Sequence, residues 1–440
     1  MTHSGSSKGF IVAAPRSGSG KTLITLGLLR AFRNRGLSVG SFKVGPDYID
    51  PGFHEAATGL PCRNIDIWAM RSGTIANILS KTANGTDLII GEGVMGLFDG
   101  AAGGGGSTAD VATELGLPTI LVVDASGQSM SAAAVIHGFN TFRDDLKTGG
   151  VIFNRVGSSR HQDMLRSAMR DLEIPVFGYL PRDDRLALPE RHLGLVPAAE
   201  NTALDRFLEE CAETMAAHLD LDGITDLRYR KSFPVTSQSG SAILPLAQRV
   251  SVARDVAFPF TYPHIIDNWH DAGAEVRFFS PLSNEAPLKG AAVFLPGGYP
   301  ELHAGQLAAN TQFIDGMREA ANGGDQIYGE CGGYMALGTG LIDTRGERHA
   351  MCGLLPLVTS FAERRLQLGY RDAELLADTA LGKLGTRFRG HEFHYATVVE
   401  EGEEDPLFRC ADSTGEATGL MGRSIANVSG SFLHLIDRNT

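Results

Sequence analysis

The chain has 440 residues, of which 43% are hydrophobic, and it carries a formal net charge of −12 at neutral pH. This length and composition predict two or three domains, each with a core of its own. The acidic balance argues against nucleic acid or an anionic membrane surface as a partner, because both attract a basic face.

The cysteines and the first residues indicate a soluble protein of the cytoplasm. None of the five cysteines stands in a C-x-x-C pair or at zinc-binding spacing, so reduced thiols are expected rather than disulfides. The polar N-terminus leads directly into an apolar strand, unlike a signal peptide, and no apolar run approaches the length that spans a bilayer. We therefore expect no membrane partner.

The first predicted elements are a buried strand over residues 9–14 and a helix over about residues 23–34. The loop between them ends in Gly-Lys-Thr where the strand meets the helix, and this arrangement cradles phosphates. Lys21 would reach the outer phosphates and Thr22 would bind Mg²⁺. Pro15 occupies a place that is glycine in the standard spacing, so the loop is a variant. A plain solvent loop rich in Ser and Gly is the alternative.

Acidic side chains follow the next two predicted strands, which cover residues 37–43 and 87–91. Asp47 and Asp50 come after the first strand, and Glu92 directly follows the second. The carboxyl ends of neighbouring parallel strands form the binding edge of an open sheet, where oxygen ligands suit a hard cation that bridges phosphates. The sequence therefore predicts a magnesium site at this edge of the sheet. Taken singly, each carboxylate has a helix cap or a turn as its alternative role.

Strands and helices continue to alternate up to about residue 178, which predicts a parallel sheet with right-handed crossovers. The segments that follow are rich in Arg, His and Pro and include Arg191 and His192. They form either an ordinary solvated loop or a basic lip for a polycarboxylate substrate.

The domain organisation follows from a change in composition. An amphipathic helix over about residues 201–219 precedes a polar, Ser-rich stretch of the kind that links domains, and a second α/β pattern then begins. We predict an α/β fold throughout, with an N-terminal P-loop domain at residues 1–228, a linker at 229–248 and a C-terminal α/β domain at 249–440.

The C-terminal half is organised around residues 327–335, an apolar strand that runs into Gly-x-Cys-x-Gly and then into a helix. This elbow places Cys331 at the position of a nucleophile. Gly329 and Gly333 flank the turn because a sharp bend leaves no room for a Cβ. The Gly332 amide would stabilise an oxyanion and help to lower the pKa of the thiol. A buried structural cysteine is the alternative.

Two further segments supply partners for this thiol. A Pro-Gly-Gly-Tyr-Pro-Glu turn about 30 residues earlier offers the Gly298 amide to an oxyanion. Near the C-terminus a strand is predicted over residues 425–428, and His434 follows it as the candidate base. A structural histidine is the alternative. The pair His391 and His394 lacks the zinc pattern and is expected on a strand.

These residues carry a family resemblance. The cysteine elbow, the Pro-Gly-Gly-Tyr-Pro-Glu turn and the late histidine resemble a class I glutamine amidotransferase domain. The Gly-Lys-Thr loop with Lys43, Asp47 and Glu92 resembles the dethiobiotin-synthetase-like P-loop fold. Four segments resemble the hydrogenobyrinic acid and cobyrinic acid a,c-diamide synthase family, namely 42–51, 92–99, 191–195 and 390–395. The resemblance spans nearly the whole chain and looks closer to the aerobic, hydrogenobyrinic acid enzymes.

The resemblance implies a ligase of cobalamin biosynthesis that amidates the a and c acetate carboxylates through acyl phosphates. It implies catalytic roles for Cys331 and His434 and oxyanion roles for Gly298 and Gly332. The implied ATP contacts are Arg16, Ser17, Gly18, Ser19, Gly20, Lys21, Thr22, Lys43 and Asn154. The implied Mg²⁺ ligands are Thr22, Asp47 and Glu92, and the implied substrate contacts are Asp50, Asp99, Arg191 and His192. The expected partners are a corrinoid polycarboxylate and L-glutamine, and a homodimer is one oligomeric state that the sequence permits.

Two departures from the family patterns leave alternatives open. Leu435 and Ile436 follow His434 where class I amidotransferases have His-x-Glu, so the triad is reduced to a dyad whose orienting group is open. Arg16 stands where deviant P-loop ATPases have a signature lysine. The alternatives are the same reaction on cobyrinic acid, amidation of other arms as in cobyric acid synthase, a partition-type ATPase switch, and a ligase with an inactive glutaminase.

Overall fold

The computed structural model describes residues 8–183, 186, 190–191, 194–195, 197–227, 243–402 and 405–439. The described residues form two compact units. The first lies within Met1–Trp68, Ile75–Gly100 and Gly105–Ser237, and the second within Ala69–Thr74, Ala101–Gly104 and Gln238–Thr440. Most of the predicted linker at 229–248 lies outside the described residues. In the described part of the chain, no helix has the length and apolar character that a membrane span requires.

The first unit is built on a seven-stranded sheet. Its strands are β1 (Lys8–Ala13), β2 (Val39–Val44), β3 (Arg63–Ile65), β4 (Leu88–Glu92), β5 (Thr119–Asp124), β6 (Thr148–Val156) and β7 (Val176–Pro181). Neighbours run parallel in the order β3-β2-β4-β1-β5-β6-β7, which confirms the predicted parallel sheet. Because β1 lies between β4 and β5, the loop after β1 and the carboxylates after β2 and β4 meet at one edge.

Helices and two short strands complete the first unit. The helices are α1 (Lys21–Asn34), α2 (Asp50–Thr58), α3 (Ser72–Ala83, which belongs to this unit from Ile75 onward), α4 (Thr108–Leu115), α5 (Met130–Thr141), α6 (Ser159–Ala168), α7 (Leu204–His218) and α8 (Leu221–Thr225). The strands β8 (Glu190–Arg191) and β9 (Gly194–Leu195) pair with each other, and a 3₁₀ turn covers Ala198–Glu200. Apolar faces of α1 and α7 share one core with the sheet, including Leu28, Phe32, Leu208 and Met215. This core fixes α1 and the loop that precedes it.

The second unit contains fourteen strands within its described residues. They are β10 (Arg249–Ala253), β11 (Glu275–Phe279), β12 (Ala292–Leu295), β13 (Ile327–Glu330), β14 (Gly340–Ile342), β15 (Arg348–Ala350), β16 (Leu357–Ser360), β17 (Gln367–Leu375), β18 (Arg387–His394), β19 (Thr397–Glu401), β20 (Pro406–Ala411), β21 (Ala417–Ile425), β22 (Val428–Ser431) and β23 (Leu433–Arg438). One sheet has the order β11-β10-β12-β13-β22-β21-β20-β17-β18-β23, and a smaller one has the order β15-β14-β16-β19.

The helices of the second unit flank its parallel strands. They are α9 (Pro263–Asp271), α10 (Ala304–Ala309), α11 (Thr311–Asn322) and α12 (Gly332–Leu337), with a 3₁₀ turn over Pro300–Leu302. Strands β11, β10, β12, β13 and β22 run parallel, and the rest of the large sheet is antiparallel. The parallel part therefore carries the elbow after β13, and the antiparallel part returns the chain to it through β23.

The predicted strand over residues 425–428 is wrong. This segment is the turn of a β-hairpin, since β21 ends at Ile425 and β22 begins at Val428. Between them Ala426 has a positive φ of 51°. The Asn427 side chain donates hydrogen bonds to two backbone carbonyl groups at and just beyond the end of α11. Ile425 and Val428 are thus the last cross-strand pair of the hairpin rather than the two ends of one strand.

The first strand of the second unit is shorter than predicted. The sequence predicts a strand over residues 251–258, but β10 ends at Ala253. Asp255 accepts a hydrogen bond from the Ala257 amide, which turns the chain away from the sheet. The apolar character beyond the strand reflects the burial of Phe258 in the core.

Candidate functional site

The thiol of Cys331 lies at the turn between β13 and α12. Its φ of 47° and ψ of −104° are strained for a residue with a side chain. A Cβ on Gly333 would stand 2.0 Å from the Leu295 carbonyl oxygen, and one on Gly329 would stand 2.8 Å from the Gly333 carbonyl carbon. The prediction that both flanking positions lack room for a Cβ is confirmed.

The Cys331 side chain is enclosed by protein. Burial raises the pKa of the thiol far above its usual range, the Glu301 charge acts in the same direction, and the Gly332 amide acts against them. The Gly332 amide lowers the pKa of the thiol as predicted, but the loss of water outweighs this one backbone hydrogen bond and the pKa is raised. The thiol is neutral at rest and needs a base to become a nucleophile.

His434 lies on β23 and faces the elbow through Gly297. A Cβ on Gly297 would stand 2.2 Å from His434 Cε1, 3.0 Å from His434 Nε2 and 3.3 Å from Cys331 Cβ. The imidazole and the thiol-bearing carbon thus approach the same point, and only glycine leaves that point open. Burial, and after it His391 and His394, lower the pKa of His434 to about 3. The ring is therefore neutral near pH 7 and able to accept a proton.

The two amides predicted to bind an oxyanion lie side by side. The Cβ position of Gly332 is 2.9 Å from the Gly298 nitrogen. Gly298 has no room for a side chain, since a Cβ there would stand 2.1 Å from the Ala257 carbonyl oxygen. The same carbonyl accepts a hydrogen bond from the Tyr299 amide at 3.0 Å. The turn after β12 is therefore held against the elbow, and the oxyanion role stays a prediction.

His391 and His394 lie on a strand, β18, as the sequence predicts. His391 is the register partner of His434 on β23. His394 Nε2 is 3.1 Å from Glu392 Oε1, and its ring stacks on Phe432 with ring centroids 4.0 Å apart. These contacts indicate a structural role for His394 rather than a zinc site.

In the first unit, the loop between β1 and α1 has the backbone that phosphate binding needs. Gly18 and Gly20 have φ values of 75° and 95°. The Asn154 side-chain amide donates to the Ser19 carbonyl at 2.9 Å, and a Cβ on Gly20 would stand 2.3 Å from that amide nitrogen. The Ser19 hydroxyl donates to the carbonyl of Arg16. Glycine is required at position 20 on both counts, conformation and space.

Lys21 extends from the first turn of α1 toward this loop. It is mostly buried, and its ammonium group donates to two backbone carbonyl groups. Burial, and after it the charge of Lys43, lower the pKa of Lys21 to about 8. By contrast, the Arg16 side chain is 73% exposed, with Nη2 3.5 Å from Asp124 Oδ2. Ser17 is exposed as well, so both remain accessible to a ligand.

Three oxygen-bearing side chains converge beside the loop. Thr22 Oγ1 is 2.6 Å from Glu92 Oε1 and 3.4 Å from Asp50 Oδ2. The Lys43 ammonium contacts the same two carboxylates. Asp47 lies at the edge of the group, where Oδ1 accepts two backbone N–H groups at the start of α2 and Oδ2 is 3.9 Å from Lys43 Nζ. The structure therefore groups Asp50, predicted to contact substrate, with Thr22 and Glu92, while Asp47 accepts the N–H groups of Ile49 and Asp50 just ahead of α2.

The charges of this group suit a divalent cation. Burial disfavours the Lys43 ammonium, but Asp50 and Glu92 outweigh it and raise its pKa. Burial opposes the Glu92 charge, yet Lys43 and then His54 hold the pKa of that carboxyl well below its usual range. Burial, and after it Asp47, raise the pKa of Asp50. A hydroxyl and closely spaced carboxylate oxygens are ligands that Mg²⁺ prefers, so the residues present fit this ion.

His54 belongs to the site although the sequence analysis does not identify it. Its Nε2 is 2.7 Å from Glu92 Oε2, and both side chains are fully buried. Burial disfavours the imidazolium, but Cys62 and Glu92 outweigh it and raise the pKa of His54 to about 10. His54 lies on α2 and Glu92 ends β4, so no local spacing in the sequence signals the contact.

The remaining predicted substrate contacts are only partly described. Asp99 Oδ2 accepts a hydrogen bond from the Gly96 amide at 2.9 Å. Arg191 belongs to β8 by its backbone alone, and His192 lies outside the described residues. Substrate binding by these residues stays a prediction.

Comparison with known proteins matches both units. Residues 10–196 match the CobQ/CobB/MinD/ParA nucleotide binding domain, and residues 249–440 match the CobB/CobQ-like glutamine amidotransferase domain. These matches confirm the predicted α/β fold class with a P-loop domain and an amidotransferase domain. A hydrogenobyrinate a,c-diamide synthase of Brucella anthropi is 52% identical over 98% of both chains. Proteins of the same name from Rhizobium meliloti and Mesorhizobium japonicum are 52% and 49% identical, over 98% of this chain and 99% of theirs.

Proposed function

The chain belongs to the hydrogenobyrinate a,c-diamide synthase family, and from this premise we propose that it converts the a and c acetate carboxylates of hydrogenobyrinic acid into amides. Glutamine is the nitrogen donor and MgATP activates the carboxylates. The supporting observation is that one chain carries both sites, the Cys331 elbow with His434 and the P-loop with its carboxylates. This chain matches its relative over 98% of its length. We assign residues 1–228 to the synthetase, 229–248 to a linker and 249–440 to the amidotransferase.

The amidotransferase domain releases ammonia from glutamine. His434 takes the proton of the Cys331 thiol as the sulfur attacks the carbon of the side-chain amide. His434 then returns the proton to the leaving ammonia, and water hydrolyses the glutamyl thioester. The adjacent amides of Gly298 and Gly332 hold the oxyanion. Because the pKa of the thiol is raised and that of the imidazole is lowered, the resting pair is neutral and the proton moves only as the bond forms.

The synthetase domain activates the acceptor. A carboxylate is a poor electrophile, and transfer of the ATP γ-phosphoryl group gives an acyl phosphate that ammonia attacks. The loop amides with Lys21 and Lys43 offset the charge of the phosphates. Thr22, Asp50 and Glu92 would hold Mg²⁺, which neutralises phosphate charge when bound. Amidation of both arms uses two ATP and two glutamine molecules.

The direct experiment supplies glutamine, MgATP and either hydrogenobyrinic or cobyrinic acid, and follows the products by mass spectrometry. We expect a product with two amides in place of two carboxylates, formed faster from hydrogenobyrinic acid. A faster reaction of cobyrinic acid would replace the proposed substrate by its cobalt form. If neither corrinoid changes while ATP is hydrolysed, the proposed acceptor is wrong.

His54→Ala is expected to lower the rate of amidation about 10- to 100-fold and to raise the Mg²⁺ concentration needed for half-maximal rate, because a partner that fixes a metal carboxylate is worth that much. His54→Gln keeps a donor for Glu92 and is expected to retain more activity. Rates from ammonium chloride across a Mg²⁺ titration measure the effect. His270→Ala, at an exposed helix end, is the control. An unchanged Mg²⁺ dependence in His54→Ala would contradict this role.

A further inference from the structure

The last residue of β13 places a carboxyl group against the candidate base. Glu330 immediately precedes the nucleophile, and its Oε2 is 4.0 Å from His434 Nδ1. Its other oxygen, Oε1, accepts a hydrogen bond from the Leu435 amide at 3.1 Å. Leu435 follows His434 on β23, so this bond fastens the carboxyl group to the strand that carries the imidazole.

Glu330 and His434 are both shielded from water. Glu330 is 3% exposed, and His434 is fully buried. Tyr328, two residues earlier on β13, lies close enough to the Glu330 carboxyl group to lower its pKa. Without water to replace the Leu435 amide, turning the carboxyl group away would leave buried polar atoms unsatisfied. The direction of Oε2 is therefore set by the packing of two strands.

The two ring nitrogens of His434 face different groups. Nε2 is 3.0 Å from the position of a Cβ on Gly297, and Cys331 Cβ is 3.3 Å from the same position. Nδ1 is 4.0 Å from Glu330 Oε2. A neutral imidazole carries one hydrogen, so Nε2 accepts a proton only when that hydrogen is on Nδ1. A group that accepts a hydrogen bond from Nδ1–H thus selects the tautomer that can act as a base.

We propose that Glu330 is the positioning residue of the glutaminase, and that its carboxylate holds His434 with the hydrogen on Nδ1 and the Nε2 lone pair toward Cys331. The inference rests on the proposed function. Class I amidotransferases have an acidic residue two positions after the histidine, where this chain has Ile436. In the proposal Glu330, at the end of the strand before the nucleophile, takes the place of that residue. A small side-chain movement closes 4.0 Å to a hydrogen bond, as catalytic contacts tighten when substrate binds.

The protonation of Glu330 gives this role a measurable signature. Burial raises the pKa of Glu330 to about 8, while the Leu435 amide and Tyr328 act in the opposite direction. The carboxylate accepts a hydrogen bond from Nδ1–H more strongly than the protonated acid does, so glutamine hydrolysis is expected to rise as the pH passes through this pKa. The other titratable groups around the pair are Tyr328 on β13, Cys331, Glu301 after β12, and His391, Glu392 and His394 on β18.

Glu330→Gln in the full chain tests the proposal through glutamate release, which is measured without a corrinoid. We expect kcat to fall about 100-fold, within the range of general-base catalysis, with little change in KM for glutamine. The rise of kcat near pH 8 is expected to disappear. Glu330→Asp keeps a carboxylate and is expected to recover part of the rate and of the pH dependence. Glu401→Gln is the control, since that carboxylate bonds Tyr334 and Arg423 instead.

Amidation from ammonium chloride separates the outcomes. If Glu330→Gln retains that activity and loses glutamine hydrolysis, the positioning role holds. A wild-type kcat and pH profile in Glu330→Gln would overturn it. A fall in kcat together with a raised KM for glutamine and a loss of ammonium-dependent amidation would also overturn the proposal. That combination would show that Glu330 has a structural role. Failure of the proposed corrinoid acceptor would leave glutamate release readable, so the two failures are distinguishable.

Discussion

Cys331→Ala is expected to abolish amidation from glutamine and to leave amidation from ammonium chloride intact. The substitution removes the only atom that forms the thioester in the proposed mechanism, so glutamate release is expected to fall by at least about 10³-fold. The synthetase reaction needs ammonia but not the thiol, and it therefore continues. The measurement is corrinoid diamide formation by mass spectrometry with each nitrogen donor.

The control for this substitution is Cys352→Ala, another buried cysteine of the second unit. It is expected to leave glutamine use unchanged, since its thiol has no place in the mechanism. If glutamine use survives Cys331→Ala, the nucleophile is a different residue. If the unmodified protein uses ammonium chloride and never glutamine, the alternative of a ligase with an inactive glutaminase is correct.

Lys21→Ala is expected to have the opposite pattern. It should reduce amidation from both nitrogen donors about 10²- to 10³-fold, because the loss of one preorganised charge at a transferring phosphoryl group costs that much. Glutamate release is expected to continue, since Lys21 belongs to the first unit. ADP formation and diamide formation measure the first effect, and glutamate release measures the second.

Lys147→Ala, at an exposed position of the same unit, is the control for Lys21→Ala and is expected to behave as the unmodified protein. Normal diamide formation from ammonium chloride in Lys21→Ala would remove this lysine from the phosphate site. Together with Cys331→Ala, the result would show whether the two half-reactions use separate residues. A partition-type ATPase switch has no glutaminase half-reaction and would not show this separation.

Local patterns in the sequence predict much of this protein. The continuous apolar runs predict the parallel strands, and Gly-Lys-Thr between a strand and a helix predicts the phosphate loop. The elbow at Cys331 is likewise legible, because a sharp turn forces glycine at fixed positions around it. Each of these features depends on residues that are close together in the chain.

Features that depend on packing are harder to predict. No helix is predicted from the sequence at α2, although Pro51 lies in its first turn, where proline is well tolerated. Without that helix, nothing in the sequence distinguishes Asp47, which accepts backbone N–H groups ahead of α2, from Asp50, which neighbours Thr22. Nor does the sequence reveal that His54 reaches Glu92, since the contact needs α2 to pack on the sheet.

Glu330 shows the same limit in the second unit. Its contact with His434 joins two residues that lie 104 positions apart in the sequence, and it follows from the way β13 and β23 come together. A motif search looks for the acid beside the histidine and finds Leu435 and Ile436 instead. The acid stands beside the cysteine, where a sequence pattern gives no reason to look for it.

The burial of the thiols also affects how readily this protein reacts with oxidants. All five cysteines lie in the described part of the chain, and each is buried and outside any disulfide. Burial raises the pKa of four of them, Cys211, Cys331, Cys352 and Cys410. Peroxide attacks exposed thiolates, so the resting protein offers it little to react with. In the proposed mechanism the sulfur of Cys331 loses its proton only as its bond to glutamine forms, so no free thiolate is exposed to peroxide.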